Sequence, residues 1–214
     1  MKQHIKYIGM FLTMIMVIFI FSCGPSDRET NGHDSTSDQF IEILNLQNDS
    51  LTFKNIKAFE QRAIQKLQDL KDYFEILSDS TIEKAFKKQA LDMVRGLFAS
   101  GDNTITFKLR ENQEITALKV DTFFTSLQND NYGVLTLQIY NVSVTNTIKK
   151  LDDAEYKGAI RFRLFVFEKQ GKTKALLNKT NMQCDIIAKK VKKKFGNETK
   201  QVWEVFLGNI YQVQ

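Results

Sequence analysis

Residues 200–211 read KQVWEVFLGNIY, and two earlier stretches, AIRFRLFVFE at 159–168 and NKTNMQCDIIAKKVK at 178–192, are built the same way. Each is rich in aromatic and β-branched residues, contains no proline and alternates with period two, which is the pattern of a long strand. In Ala159 to Phe167 the positions Ile160, Phe162, Leu164 and Val166 share one face, expected to point at the helices, and Ala159, Arg161, Arg163, Phe165 and Phe167 share the other. Polar turns at Lys169 to Lys172 and Phe195 to Glu198 are short, so neighbouring strands should run antiparallel. Upstream, Val134 to Thr145 carries Leu135, Leu137 and Ile139 on one face and then Val142 and Val144 on the other. A change of phase within one strand predicts a bulge near Tyr140-Asn141.

The residues before the strands have helical spacing. From Phe53 to Leu77 the apolar positions Ile56, Phe59, Ala63, Leu67, Leu70, Phe74 and Leu77 recur every three or four residues, which predicts an amphipathic helix behind a cap at Asn48-Asp49-Ser50. Ser80-Thr81-Ile82-Glu83 matches a capping box. It should open a second helix, with Ile82, Phe86, Ala90, Met93, Val94 and Leu97 as its stripe and Gly101 as its end. Asn103 to Arg110 alternates as a half-buried strand, and Leu118 to Leu127 suits a third helix ended by Asn129 to Gly133. Phe40 to Leu44 is ambiguous between a strand and a helical turn.

Helices, one strand, a helix and then an antiparallel meander ending in a tryptophan-bearing strand define an α+β fold. That order over Leu51 to Val213 resembles the NTF2-like (SnoaL-like) cone. The resemblance implies N-terminal helices packed on a curved antiparallel sheet around a conical cavity, which Phe107, Phe123, Phe124, Phe162 and Trp203 would line for a small apolar ligand. It also implies that the outer sheet face carries dimer or partner contacts, here Arg161, Arg163, Phe165 and Phe167; the alternative is that Phe40 to Leu46 folds back over Phe165 and Phe167 and closes the patch within one chain. Arginine and aromatics are enriched at interfaces, which agrees.

Met1 to Cys23 sets the expected address. Lys2 and Lys6 precede the apolar run Ile8 to Phe21, and Ser22-Cys23-Gly24 follows, in the order of an export signal. The run falls short of the ~20 residues needed to cross a bilayer, so cleavage is expected rather than a span. Ile20-Phe21-Ser22-Cys23 resembles the lipobox of bacterial lipoproteins, in a form similar to that of Bacteroidota-like sequences. The resemblance implies cleavage before Cys23 and acylation of its thiol, with an ordinary secretory signal or an uncleaved anchor as the alternatives. The expected organisation is a signal peptide at 1–22, lipidated Cys23 with a flexible linker at 23–38, and one α+β domain at 39–214. A membrane anchor in the bacterial cell envelope, at the outer membrane, follows from that resemblance.

Composition excludes several classes of function. The chain carries 30 basic and 25 acidic residues. Without residues 1–22, which hold two lysines and no acid, 28 basic residues remain and the net charge is +3, too balanced for a nucleic-acid partner. The two histidines, His4 and His33, lie in the signal and the tether. The domain therefore lacks the histidine of a Ser-His triad, a Cys-His dyad or a His-based metal site, and no cofactor or metal is expected. Cys184 alternates with Met182 and Ile186 as a small core residue. Asp121 and Asp185 are the candidate buried carboxylates, and the lysine run from Lys189 to Lys194 reads as a solvated hairpin tip. The leading expectation is a non-catalytic binding or assembly module with an envelope protein or a second copy as partner. A carrier or sensor of a small apolar ligand and a carboxylate-only hydrolase or isomerase are the alternatives.

Overall fold

A computed structural model of the chain describes residues 50–112, 114–129 and 134–214, all within one compact unit. The expected signal, Cys23, the linker and Phe40 to Leu44 lie outside the described residues. Among the described residues no helix is long and apolar enough to cross a membrane.

Helix α1 spans Phe53–Ser78, and its apolar stripe is the expected one: Phe59, Ala63, Leu67, Leu70, Phe74 and Leu77 are buried. Its cap is Thr52, whose hydroxyl accepts the Asn55 N–H at 3.3 Å, not the Asn48 to Ser50 segment. Helix α2 spans Lys84–Leu97, shorter at both ends than Ser80 to Gly101. The expected capping box is absent: Glu83 is the N-cap and makes no side-chain cap bond, while Ser80 and Thr81 lie in the turn ahead of the helix, where the Asp79 carboxylate accepts the Thr81 N–H at 2.8 Å and the Thr81 hydroxyl at 2.7 Å. The stripe of α2 is also rotated. Lys87, Ala90, Leu91, Val94 and Leu97 are buried, whereas Phe86 and Met93 are 61% and 51% exposed. Phe86 lies about 140° round the helix from Leu91, so a short helix seated on Leu91 and Val94 turns Phe86 out. Helix α3 spans Val120–Asn129 and buries Val120, Phe123, Phe124 and Leu127.

Six strands form one sheet in the order β2-β1-β6-β5-β4-β3. They are β1 (Thr104–Thr106), β2 (Leu118–Lys119), β3 (Val134–Lys150), β4 (Glu155–Gln170), β5 (Thr173–Phe195) and β6 (Glu198–Gln212). The pairs among β3 to β6 are antiparallel, as expected; β1 adds parallel to β6, and the sheet is mixed and unclosed. Positive φ at Gly171 (61°) and Gly196 (60°) lets two tight turns join β4 to β5 and β5 to β6. The register of β3 shifts between Tyr140 and Ser143, where Asn141 has φ 53°. This is the expected bulge, and it returns Val142, Val144 and Ile148 to the core side after Leu135, Leu137 and Ile139.

Strand β3 is an edge, and α1 covers part of it. The Ser78 hydroxyl donates to Leu135 C=O at 3.0 Å and accepts the Leu135 N–H at 3.1 Å, while the Glu60 carboxylate accepts the Ile148 N–H at 3.3 Å. Backbone groups that would template another strand are thereby occupied.

Strand β1 stops at Thr106, so only part of the predicted Asn103 to Arg110 strand forms. The continuation is held across the helix-facing side of the sheet. Glu111 N–H donates to Leu177 C=O at 3.2 Å, Asn178 Nδ2 donates to Lys108 C=O at 2.6 Å, and Arg110 pairs with Glu168 at 3.0 Å. Alternation still sorts the side chains, with Ile105 and Leu109 buried.

Candidate functional site

Three places on the fold are built from the residues that the sequence singles out. The first is the interior. Phe107, Phe123, Phe124 and Phe162 come together with Phe74, Leu67 and Ile105 around one apolar cavity. Phe123 is the hub, with its ring 5.4 Å from Phe107, 5.0 Å from Phe124 and 6.4 Å from Phe74. Trp203 is not among them; it is buried lower in the sheet, edge-on to Tyr156 at 5.1 Å. The cavity measures about 20 Å³, little more than one water occupies. Its own side chains and the strap at Phe107 to Glu111 fill the space between sheet and helices.

The second place adjoins the first. An open groove of about 300 Å³ runs between the strap and α3, lined by Phe107, Leu109, Glu114, Thr116, Leu118, Phe123 and Ser126. Phe107 and Phe123 line both spaces, so this pair separates the filled interior from the surface.

The third place is the helix-free face of the sheet. Along β4 the alternation is as expected: Ile160, Phe162, Leu164 and Val166 are buried, while Arg161 and Arg163 are exposed and Phe165 and Phe167 half-buried. Ala159, expected outward, is 2% exposed; its methyl group sits low between its register neighbours Asn146 and Asp185. Arg163, Phe165 and Phe167 line an open groove of about 470 Å³ with Gln138, Tyr140 and Asn141. Register supplies these neighbours, since Gln138 lies opposite Phe165 and Tyr140 opposite Arg163. Phe165 and Phe167 are stacked with an interplanar angle of 8° at 6.3 Å, and Tyr140 meets Phe165 edge-on at 5.3 Å. From β5, Lys179 Nζ lies 5.4 Å from the Phe165 centroid and Asn181 accepts from Arg163 Nε at 3.4 Å. Arg161 is on the same face but outside the groove lining.

The candidate carboxylates lie away from the cavity. Asp121 is half exposed and accepts from Arg95 Nε at 2.8 Å, which raises the already high guanidinium pKa. Asp185 is buried on the helix-free face, 3.0 Å from Lys157 Nζ, beneath Gly208, where an added Cβ would meet Asp185 Cβ at 2.8 Å. Cys184 is fully buried, and burial pushes its thiol pKa up. Burial also raises the Glu75 pKa on α1 and lowers that of Lys66. Among the described residues no group of three His, Cys, Asp or Glu side chains is placed to hold a metal ion.

No protein-family profile matches the chain, and no curated protein matches it. Among solved structures it is similar to a provisionally named scytalone dehydratase of Novosphingobium aromaticivorans, at 12% identity and a TM-score of 0.38, over 76% of this chain and 93% of that one. It is also similar to an NTF2-like protein with a cystatin-like fold from the same organism, at 10% identity and a TM-score of 0.33, over 73% and 90%. A protein of Kribbella flavida matches at 8% identity and a TM-score of 0.29, over 72% and 95%. At these scores the α+β architecture rests on the strand order and helix packing described above.

Proposed function

We propose that this chain is a lipid-anchored protein of the bacterial cell envelope whose NTF2-like domain is a non-catalytic binding module working through Arg161, Arg163, Phe165 and Phe167. The observation that carries this reading is the contrast in available space. The helix-free face presents an open groove of about 470 Å³ floored by stacked aromatics, whereas the cone interior is reduced to about 20 Å³. Acylation of Cys23 belongs to the proposal and rests on the lipobox resemblance. The test combines both parts. Cys23→Ala should abolish incorporation of a palmitate analogue and release the protein from membranes. Phe165→Asp with Arg163→Glu should leave the circular dichroism spectrum unchanged and remove the proteins that cross-link to the wild type in detergent-solubilised envelopes. Membrane retention of Cys23→Ala at unchanged gel mobility, or an unaltered cross-linking pattern in the double variant, overturns the corresponding part.

A second reading, a carrier or sensor of a small apolar ligand, is favoured by the groove at Phe107 and Phe123. If these rings swing apart, the groove and the cavity become one space. An apolar ligand at 100 times its Kd would then stabilise the protein by ~2.7 kcal/mol in a thermal-shift screen.

A further inference from the structure

The occupant of the helix-free groove is constrained by what the face contains and lacks. It carries Arg161, Arg163 and Lys179, and the ion pairs seen among the described residues engage other cations. The groove lining holds no carboxylate. A two-fold contact with a second copy would set this patch against itself, gathering cations of both copies where the groove lining has no carboxylate to neutralise them. The described chain starts at the other end of β4, where Leu51 N–H donates to the Tyr156 hydroxyl at 3.1 Å, and Phe165 lies nine residues further along the strand, about 30 Å away, a span of about nine fully extended residues. Addition of a peptide strand to β3 is opposed by Ser78 at Leu135 and by the bulge at Asn141.

What remains is a shallow groove bordered by two parallel, mutually stacked rings, a tyrosine wall and a set of donors. The π faces of Phe165 and Phe167 are electron-rich and match the flat C–H face of a sugar ring. Arg163 and Lys179 match anionic substituents at its edge, and the Gln138 amide matches its hydroxyls. Resting on the reading of this face as the working surface, we infer that the groove binds an acidic polysaccharide. Sugar rings stack on Phe165 and Phe167, and carboxylate or sulfate groups meet Arg163 and Lys179.

The test uses the full-length protein in detergent and affinity electrophoresis through gels containing polygalacturonate, neutral dextran or poly-glutamate. Polygalacturonate should retard the protein and dextran should not. Phe165→Leu, which keeps apolar bulk but removes the ring, and Phe167→Ala should each weaken retardation about tenfold with unchanged circular dichroism; Phe165→Tyr should preserve it. Arg163→Gln should weaken binding and flatten its salt dependence. Equal retardation by poly-glutamate, unaffected by Phe165→Leu, would assign the face to acidic polypeptides and overturn the inference, as would no retardation by polygalacturonate. Failure here with intact loss of cross-linking in Phe165→Asp with Arg163→Glu leaves the binding face standing without its polysaccharide. Failure of both removes the face itself.

Discussion

Alternate residues of β4 live in two different environments. Ile160, Phe162, Leu164 and Val166, at 0–3% exposure, are locked between sheet and helices, while Arg163, Phe165 and Phe167, one residue out of phase, line an open groove, with Arg161 beside it on the same face. Apolar content alone does not distinguish the faces, since each has aromatics. Packing does. On the inner face Phe162 is 3% exposed, so it sets stability; on the outer face Phe165 and Phe167 are half-buried, packed against each other, Tyr140 and Lys179, and still border an open groove. The sharpest way to break the comparison is one substitution made on both faces. Phe162→Ala should cost about 3–5 kcal/mol, the range for a buried phenylalanine with little room to collapse. Phe165→Ala should cost about 1 kcal/mol or less. Urea unfolding of the two variants measures both values, and similar losses would show that the outer rings are structural.

The strand edge gives a smaller effect. Ser78 is buried and its hydroxyl serves both polar groups of Leu135, so Ser78→Ala leaves a donor and an acceptor unpaired at the edge of β3. A loss of about 1–3 kcal/mol is expected, with faster hydrogen exchange at the Leu135 amide. Ser126→Ala is the control, because that hydroxyl donates only to Phe123 C=O within its own helix, at 2.8 Å. Equal effects of the two would mean that the Ser78 contact does not protect the edge.

Much of this was legible in the sequence where a single period governs burial. The α1 stripe, the alternation along β4 and the bulge at Tyr140-Asn141 follow from period 3.6 or period 2 and need no knowledge of partners. Where the outcome depended on a partner, local pattern failed. Phe86 and Met93 fit a helical stripe as well as Leu91 does, and only docking decided that α2 rests on Leu91 and Val94. Asn103 to Arg110 alternates throughout, yet pairing with β6 ends at Thr106 because the strap crosses to Leu177 and Asn178. Trp203 was expected beside the phenylalanines on chemistry alone, and register sets it opposite Lys190, far from Phe162 opposite Met182. The groove's Tyr140 and Gln138, and Lys179 over Phe165, were invisible for the same reason. They enter through cross-strand register, which no single stretch encodes.

The smallest expected effect compares two carboxylates at the end of α1, Glu75 and Asp79. Asp79 has its pKa lowered by the Thr81 hydroxyl and amide, both of which donate to it. A folded-state pKa below the unfolded one contributes stability above the unfolded value of 3.8 and loses it as pH falls through the folded value. Asp79→Ala should therefore cost at most about 1 kcal/mol near neutrality and nothing in strong acid. Glu75 has its pKa raised by burial, partly opposed by Lys71 and Lys174. Its protonated form is favoured in the fold, so its contribution is present below the unfolded value of 4.5 and is lost as pH rises through the folded one. Glu75→Gln should thus be more stable than the parent at neutral pH and indistinguishable from it below about pH 4. Chemical denaturation of the three proteins across acidic to neutral pH measures both differences. The Asp79 and Glu75 curves should depart from the parent in opposite directions as pH rises, and curves departing in the same direction would show that the Thr81 hydrogen bonds and the burial of Glu75 do not control these two groups.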